Sequence, residues 1–278
     1  ICFPMTLALM LLASGCFDNR QAPHRPLTAR SMAEAADKKA GLERLVLAGQ
    51  TLAALPPELA EMPKLAFLDL RGAQGLKSFE VLPNLQALQR LDLAATGLDA
   101  VPPEVCKLNR LKHLYLSENT LTALPPEIAG LSSLTYLNLD NNKLAALPAE
   151  LARLGSLRWL RLNNNLLESL PEELCALSNL RRVYLRQNKL TSVPECLKAL
   201  PLLEDISLRD NPVAAIPDWM TALPKLRQLD LDGSKVAKLP ADLSGWQKLQ
   251  VLSMVRCPIP PDEKDRVRKA LPKVHVAF

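Results

Sequence analysis

Leucine recurs with a 23-residue period through most of this chain. Stepping 23 residues at a time from Leu42 reaches Leu65, Leu88, Leu111, Leu134, Leu157, Leu180, Leu203, Leu226 and Leu249. Ten leucines in one register mean that one supersecondary unit is used ten times. Such a unit cannot bury its own apolar face and must stack on its neighbours. Counting from the first leucine of each unit, apolar residues fall at offsets three and five, the period of a strand. They recur at ten and thirteen, and again toward seventeen and twenty, the spacing of a short helix. Pro usually stands at offset fourteen and Asn often at offset eight. Each unit therefore reads as one strand and one return, and the fold class is an α/β solenoid built on a parallel sheet. With 278 residues, 48% hydrophobic and 23% charged, the chain can fill such a core along its length.

The stretch "LTYLNLDNNKLAALPAELARLGS" (134–156) shows the unit in full. It resembles the leucine-rich repeat, L-x-x-L-x-L-x-x-N-x-L, continued by the turn seen in "LPPEL" (55–59), "LPPEI" (124–128) and "LPEEL" (170–174). The resemblance covers 42–260 and implies a horseshoe with a concave parallel β-sheet and short convex helices or turns. Asn119, Asn142, Asn165, Asn188 and Asn211 sit where the chain leaves the strand. Their amides can satisfy backbone groups that the turn buries, which predicts an asparagine ladder. Gln50, Ala73, Thr96, Ser234 and Cys257 hold that place in the outer repeats, the degeneracy expected toward the ends of a solenoid. In the second repeat, "GAQGLKSF" displaces Leu76 and Phe79 by one residue before Leu82 restores the register, and a bulge is expected there.

Residues 31–41, "SMAEAADKKAG", read as an N-terminal capping helix with Ser31 as its cap, and 261–278 as a charged helix and final strand. Both ends of the solenoid are thus expected to be capped and complete. Further upstream, "FPMTLALMLLASGC" holds an apolar stretch well short of the ~20 residues a spanning helix needs, ending in small residues and Cys16. "ASGC" (13–16) resembles a bacterial lipoprotein lipobox. It implies a signal peptide over 1–15 and acyl chains on Cys16; an ordinary signal peptide is the plainer alternative. Phe17, in place of the Asp used for inner-membrane retention, implies the outer membrane. Residues 16–30 are polar and proline-containing, suited to a tether. No CxxC occurs among the remaining cysteines, so a zinc or thioredoxin-type site has no support. Cys175 and Cys196, on adjacent returns, either pair or, like Cys106, read as unpaired surface thiols.

Side chains at offsets two, four and six point away from the core onto the concave face. Aromatic residues are only 4% of the chain, yet all three tyrosines and one of three tryptophans fall in these columns. The expected partner-binding set is His113, Tyr115, Tyr136, Trp159, Arg161, Arg182, Tyr184, Arg186 and Arg209. Tyr, Trp and Arg dominate binding hot spots, and here the guanidinium groups are expected to pair with carboxylates of the partner. Ten strands at ~4.8 Å give a sheet about 43 Å across, wide enough for a protein or peptide. Beyond the arginines come Asp205, Asp210, Asp230 and Asp232. Calcium wants about 6–8 oxygens and no recognised loop is present, so this cluster reads as solvated surface.

Chemistry finds little support. His24, His113 and His275 are the only histidines. His113, near Asp92 and Ser117 on a flat sheet, lacks a buried orienting carboxylate and an oxyanion hole. Nucleotide-binding, zinc-protease and nucleophile-elbow motifs are absent from the sequence. A net charge of +5 without a run of Lys and Arg names no nucleic-acid partner. The chain therefore reads as a non-enzymatic, metal- and cofactor-free monomer that binds a protein or peptide, lipid-anchored in a bacterial envelope. The runner-up is a cytoplasmic signalling scaffold, because the same repeat type resembles intracellular regulators of GTPases and phosphatases. Aromatic rows would also suit a polysaccharide.

Overall fold

A computed structural model describes residues 26–278. The expected signal peptide, Cys16 and most of the expected tether lie outside the described residues. Twelve strands form one open parallel sheet whose order follows the chain. They are β1 (Thr28–Ala29), β2 (Arg44–Val46), β3 (Phe67–Asp69), β4 (Arg90–Asp92), β5 (His113–Tyr115), β6 (Tyr136–Asn138), β7 (Trp159–Arg161), β8 (Arg182–Tyr184), β9 (Asp205–Ser207), β10 (Gln228–Asp230), β11 (Val251–Ser253) and β12 (His275–Ala277). The register from β2 to β11 advances by 23 residues per strand, as where Leu137 faces Leu160 between β6 and β7. β1 was not foreseen: it falls within the expected tether, where the Leu27 carbonyl accepts from the N–H groups of Glu43 and Arg44, both at 3.1 Å.

One repeat explains the rest. All seven leucines of 134–156 are buried. Three of them, Leu134, Leu137 and Leu139, come from the strand side, and four from the segment that returns. The return is a single turn of 3-10 helix rather than an α-helix, as at Ala149–Arg153. Its buried Leu151 and Leu154 are three residues apart, and a turn of three residues puts both on the core side. Pro148 caps it at φ −72°, and Pro56, Pro125, Pro171, Pro194 and Pro217 hold the same place elsewhere. A feature absent from the sequence reading lies at offset seven. There Gly49, Gly72, Ala95, Glu118, Asn141, Asn164, Gln187, Asp210, Gly233 and Arg256 all take a left-handed backbone, with φ from 53° to 71°. This residue turns the chain out of the strand and aims the next side chain, the ladder asparagine, inward.

The irregular second repeat shows a one-residue slip. Thr51 bridges to Gln74, 23 residues on, but Ala54 bridges to Ser78, 24 residues on. Gly75 at φ +83° takes up the extra residue, a conformation that favours glycine. Phe79 then fills the core place that Leu55 holds in the first repeat, and Leu82 is back in register with Leu59.

At the N-terminal side, α1 (Met32–Ala36) is capped by the Ser31 side chain, which accepts from the Glu34 N–H at 3.1 Å. At the other side, α2 (Pro261–Ala270) is bolted to the last return. Glu263 accepts from the Leu239 N–H at 2.8 Å, and Arg266 binds Glu263 and the carbonyls of Leu239, Pro240 and Ala241. Among the described residues no helix is long and apolar enough to cross a membrane.

Candidate functional site

The parallel register stacks offset-two residues of successive strands directly beside one another. Arg44, Phe67, Arg90, His113, Tyr136, Trp159, Arg182 and Asp205 are consecutive Cα partners from β2 to β9. Strand spacing of ~4.8 Å brings their side chains into contact. Tyr136 is the centre, with ring centroids 5.0 Å from Tyr115, 5.5 Å from Trp159 and 6.1 Å from His113. Guanidinium groups extend the row both ways. Arg182 lies 4.4 Å over Trp159, Arg90 lies 4.5 Å over Tyr115 and 5.0 Å over Phe67, and Arg44 caps Phe67 at 4.3 Å. Each such contact is worth about 0.5–1.5 kcal/mol, so the side chains of the row hold one another in place before any partner arrives.

The rings are half-buried against each other rather than fully exposed. Burial pushes the Tyr136 phenol up to about 12 and raises Tyr115 and Tyr184 as well. Burial, with the charges of Arg90 and Lys112, lowers His113, which stays neutral at physiological pH. Among the described residues nothing hydrogen-bonds to the His113 imidazole side chain; its contact is the Tyr136 ring.

The arginines do not stand free for a partner's carboxylates, as expected from the sequence; they are paired within the chain. Arg161 donates from Nε to Asp140 at 2.7 Å and its guanidinium also lies 5.5 Å over Tyr184. Arg182 Nε is 2.8 Å from Asp205, Arg209 Nη1 is 3.2 Å from Asp232, and Arg186 Nε is 3.5 Å from Asp210. The register accounts for it, because each partner lies one strand away on the same face.

The acidic cluster is likewise not solvated surface. Asp205 and Asp232 are buried, and Asp232 accepts from the Val255 N–H at 2.9 Å and the Ser253 hydroxyl at 2.5 Å. Asp140 makes the same bond to the Asn163 N–H at 2.8 Å, so an aspartate at offset six ties two strands together. Burial raises Asp205 and Asp230. At Asp210 burial acts in the same direction, but Arg256, Arg209 and Arg186 outweigh it and hold the carboxyl below its usual range. Among the described residues no group of His, Cys, Asp or Glu could hold a metal ion. Arg161, Tyr184, Arg186, Gln228 and Asp230 instead line a shallow hollow of about 250 Å³ beside the aromatic row.

Behind this face runs the asparagine ladder. Asn142, for example, donates from Nδ2 to the carbonyls of Leu116 at 3.0 Å and Leu139 at 3.0 Å, and its Oδ1 accepts from the Leu121 N–H at 3.1 Å. Asn119, Asn165, Asn188 and Asn211 repeat the pattern. Cys257 substitutes for part of it, its thiol donating to the Leu231 carbonyl at 3.1 Å. No disulfide forms among the described residues. Cys175 is exposed, whereas Cys106 and Cys196 are buried, not surface thiols, and burial pushes both up to about 11.

Comparison with known proteins agrees with this architecture. A family model described as leucine rich repeat matches residues 86–144 and 155–213. No curated protein matches the sequence. Among solved structures, a leucine-rich repeat protein of Leptospira interrogans is similar, with 29% identity over 88% of this chain and 74% of that one, at a TM-score of 0.63. The plant peptide hormone receptor RGFR1, solved in complex with RGF2, is similar in fold, with 22% identity over 84% of this chain and 42% of the receptor, at a TM-score of 0.59. The leucine period, the turn it folds into and these likenesses describe one and the same unit, and the chain folds as a leucine-rich repeat solenoid.

Proposed function

We propose that this protein binds a protein or peptide on its sheet face, without catalysis. The observation that carries the reading is the row Tyr115, Tyr136 and Trp159, stacked side by side and half open to solvent between Arg90 and Arg182, with Phe67 buried beneath Arg90 at its end. Rings already held in place lose little freedom on binding, which is the condition for a strong anchor. Because Arg161, Arg182 and Arg209 are paired within the chain, the partner is held chiefly by apolar and aromatic contact and by hydrogen bonds to the rim, with Arg44 and Arg90 as the cations of the row that have no carboxylate partner among the described residues. The bound peptide hormone of the plant receptor is a precedent for the fold alone. The resemblance of "ASGC" (13–16) to a lipobox supports anchoring in a bacterial envelope through lipid on Cys16.

Two experiments test the parts separately. Envelope and cytoplasmic fractions are passed over immobilised wild type and over Tyr136→Ala/Trp159→Ala, with circular dichroism confirming that the variant is folded. A protein retained by the wild type and lost by the variant supports the sheet face; identical profiles reject it, and retention of a glycan alone assigns the row to sugar. Fatty-acid labelling that disappears in Cys16→Ala supports the anchor, and an unlabelled wild type rejects it, leaving an ordinary signal peptide or the cytoplasm.

A further inference from the structure

Charge is segregated around the cross-section of the solenoid. The edge that leads into the strands, at offsets twenty-two and one, carries Lys64, Arg110, Lys112 and Arg158 toward one end and Lys225, Arg227 and Lys248 toward the other, with Arg181 and Glu204 paired to each other between them. All seven of those cations are exposed, and none belongs to an ion pair among the described residues. Lys64, Arg110 and Lys112 line a groove of about 540 Å³ in which Glu43 is the one carboxylate. The corner where the chain starts its return has the opposite sign. Glu80, Asp99 and Glu104 line one groove there of about 490 Å³, with Lys77 as its only cation. Glu168, Glu172 and Glu195 line another of about 320 Å³. Glu127 stands exposed between the two, and Glu173 stands exposed beside the second.

The carboxylates at the start of a return have a local reason, since they complement the N–H groups of the turn. Nothing in one repeat requires cations on the leading edge. Both stripes inherit their pitch from the same stacked repeat, ~4.8 Å per strand, so two solenoids with parallel axes bring opposite charges together at intervals along ~38 Å. We propose that a second copy of this chain is the partner of the leading edge, its acidic return corner seated against Lys64, Arg110, Lys112 and Arg158. The contact is heterologous, leaving one free stripe on each copy, and so extends into an open ribbon rather than a closed pair. It uses neither the aromatic row nor the anchor.

Sedimentation velocity of the full chain at about 20 mM and about 1 M salt tests this, because the screening length falls to ~3 Å at 1 M. The wild type is expected to associate at low salt and dissociate at high salt. Arg110→Glu/Lys112→Glu/Arg158→Glu and Glu104→Lys/Glu127→Lys/Glu172→Lys, each folded by circular dichroism, are each expected to stay monomeric at both. An equimolar mixture of the two is expected to associate again, since each then offers the stripe the other has lost. A wild type monomeric at low salt, association that survives salt or either reversal, or a mixture that stays monomeric would overturn the proposal. A monomer that instead binds an anionic polymer through the same cations would assign the edge to that class.

Discussion

Asn165 and Asn211 hold the same place in their repeats, yet their loss should not cost the same. Asn165 donates to the carbonyls of Leu139, Leu162 and Asn163 and accepts from the Leu144 N–H at 3.0 Å. Each of those carbonyls has a second donor: Asn142 at Leu139, Asn188 at Leu162 and the Asn141 N–H at Asn163. Asn165→Ala therefore orphans one group, the Leu144 N–H. Asn211 is the last rung. Its removal orphans the Leu190 N–H and also the Leu208 carbonyl, because Ser234 stands where the next asparagine would supply a second donor.

A buried group left unpaired costs about 1–3 kcal/mol, and the bonds lost with it about 1 more. Asn165→Ala is then expected to destabilise by about 2–4 kcal/mol, and Asn211→Ala by about 1–3 kcal/mol beyond that. Urea titrations followed by circular dichroism give both values from midpoints at a shared slope. Ser234→Asn supplies a new rung, and in that background the cost of Asn211→Ala should fall to that of Asn165→Ala. Equal costs in the wild-type background, or a gap indifferent to Ser234→Asn, would refute the counting of donors.

Three other outcomes are expected. Ala95, at φ 56°, holds a place that glycine fills elsewhere, so Ala95→Gly should raise stability by about 0.5–1 kcal/mol, read as a higher thermal midpoint. The Arg266 hydrogen bond holds Glu263 below its usual range. Because the folded pKa is depressed, the stability of wild type over Glu263→Gln should be present above about pH 4.3 and vanish as pH falls through the folded value, seen in urea midpoints across pH. At pH 8, Cys106 and Cys196, buried and with pKa pushed up to about 11, should react with iodoacetamide far more slowly than the exposed Cys175, by peptide mass spectrometry.

Periodicity made the solenoid legible in sequence, because burial at offsets zero, three and five requires the same side-chain type in every repeat. The slip at Leu76 and Phe79 could be read for the same reason. The left-handed place at offset seven could not be read from one residue type, since Ala95, Glu118, Gln187 and Arg256 share it with glycines and asparagines. The signal was there in Gly49, Gly72, Asn141, Asn164 and Gly233, types that tolerate positive φ. On the sheet face the columns located the aromatic row but not the charge balance. Whether Arg161 faces solvent or Asp140 depends on a diagonal between strands, which appears only once side chains are placed. Segregation of charge between leading edge and return corner was hidden for a related reason: a net charge of +5 sums over surfaces that face different ways.

The slip in the second repeat also tells where this architecture can be lengthened. Strand and return are each locked to their neighbours, one by its ladder of backbone bonds and the other by leucines that must meet. Between Gln74 and Leu82 the chain runs one residue long and then one residue short, and both flanking surfaces are undisturbed. The segment after the strand thus behaves as an expansion joint. A peptide tag or a foreign epitope grafted after Gly75 would be carried on the rim of the solenoid, whereas the same graft within β6 would split the sheet.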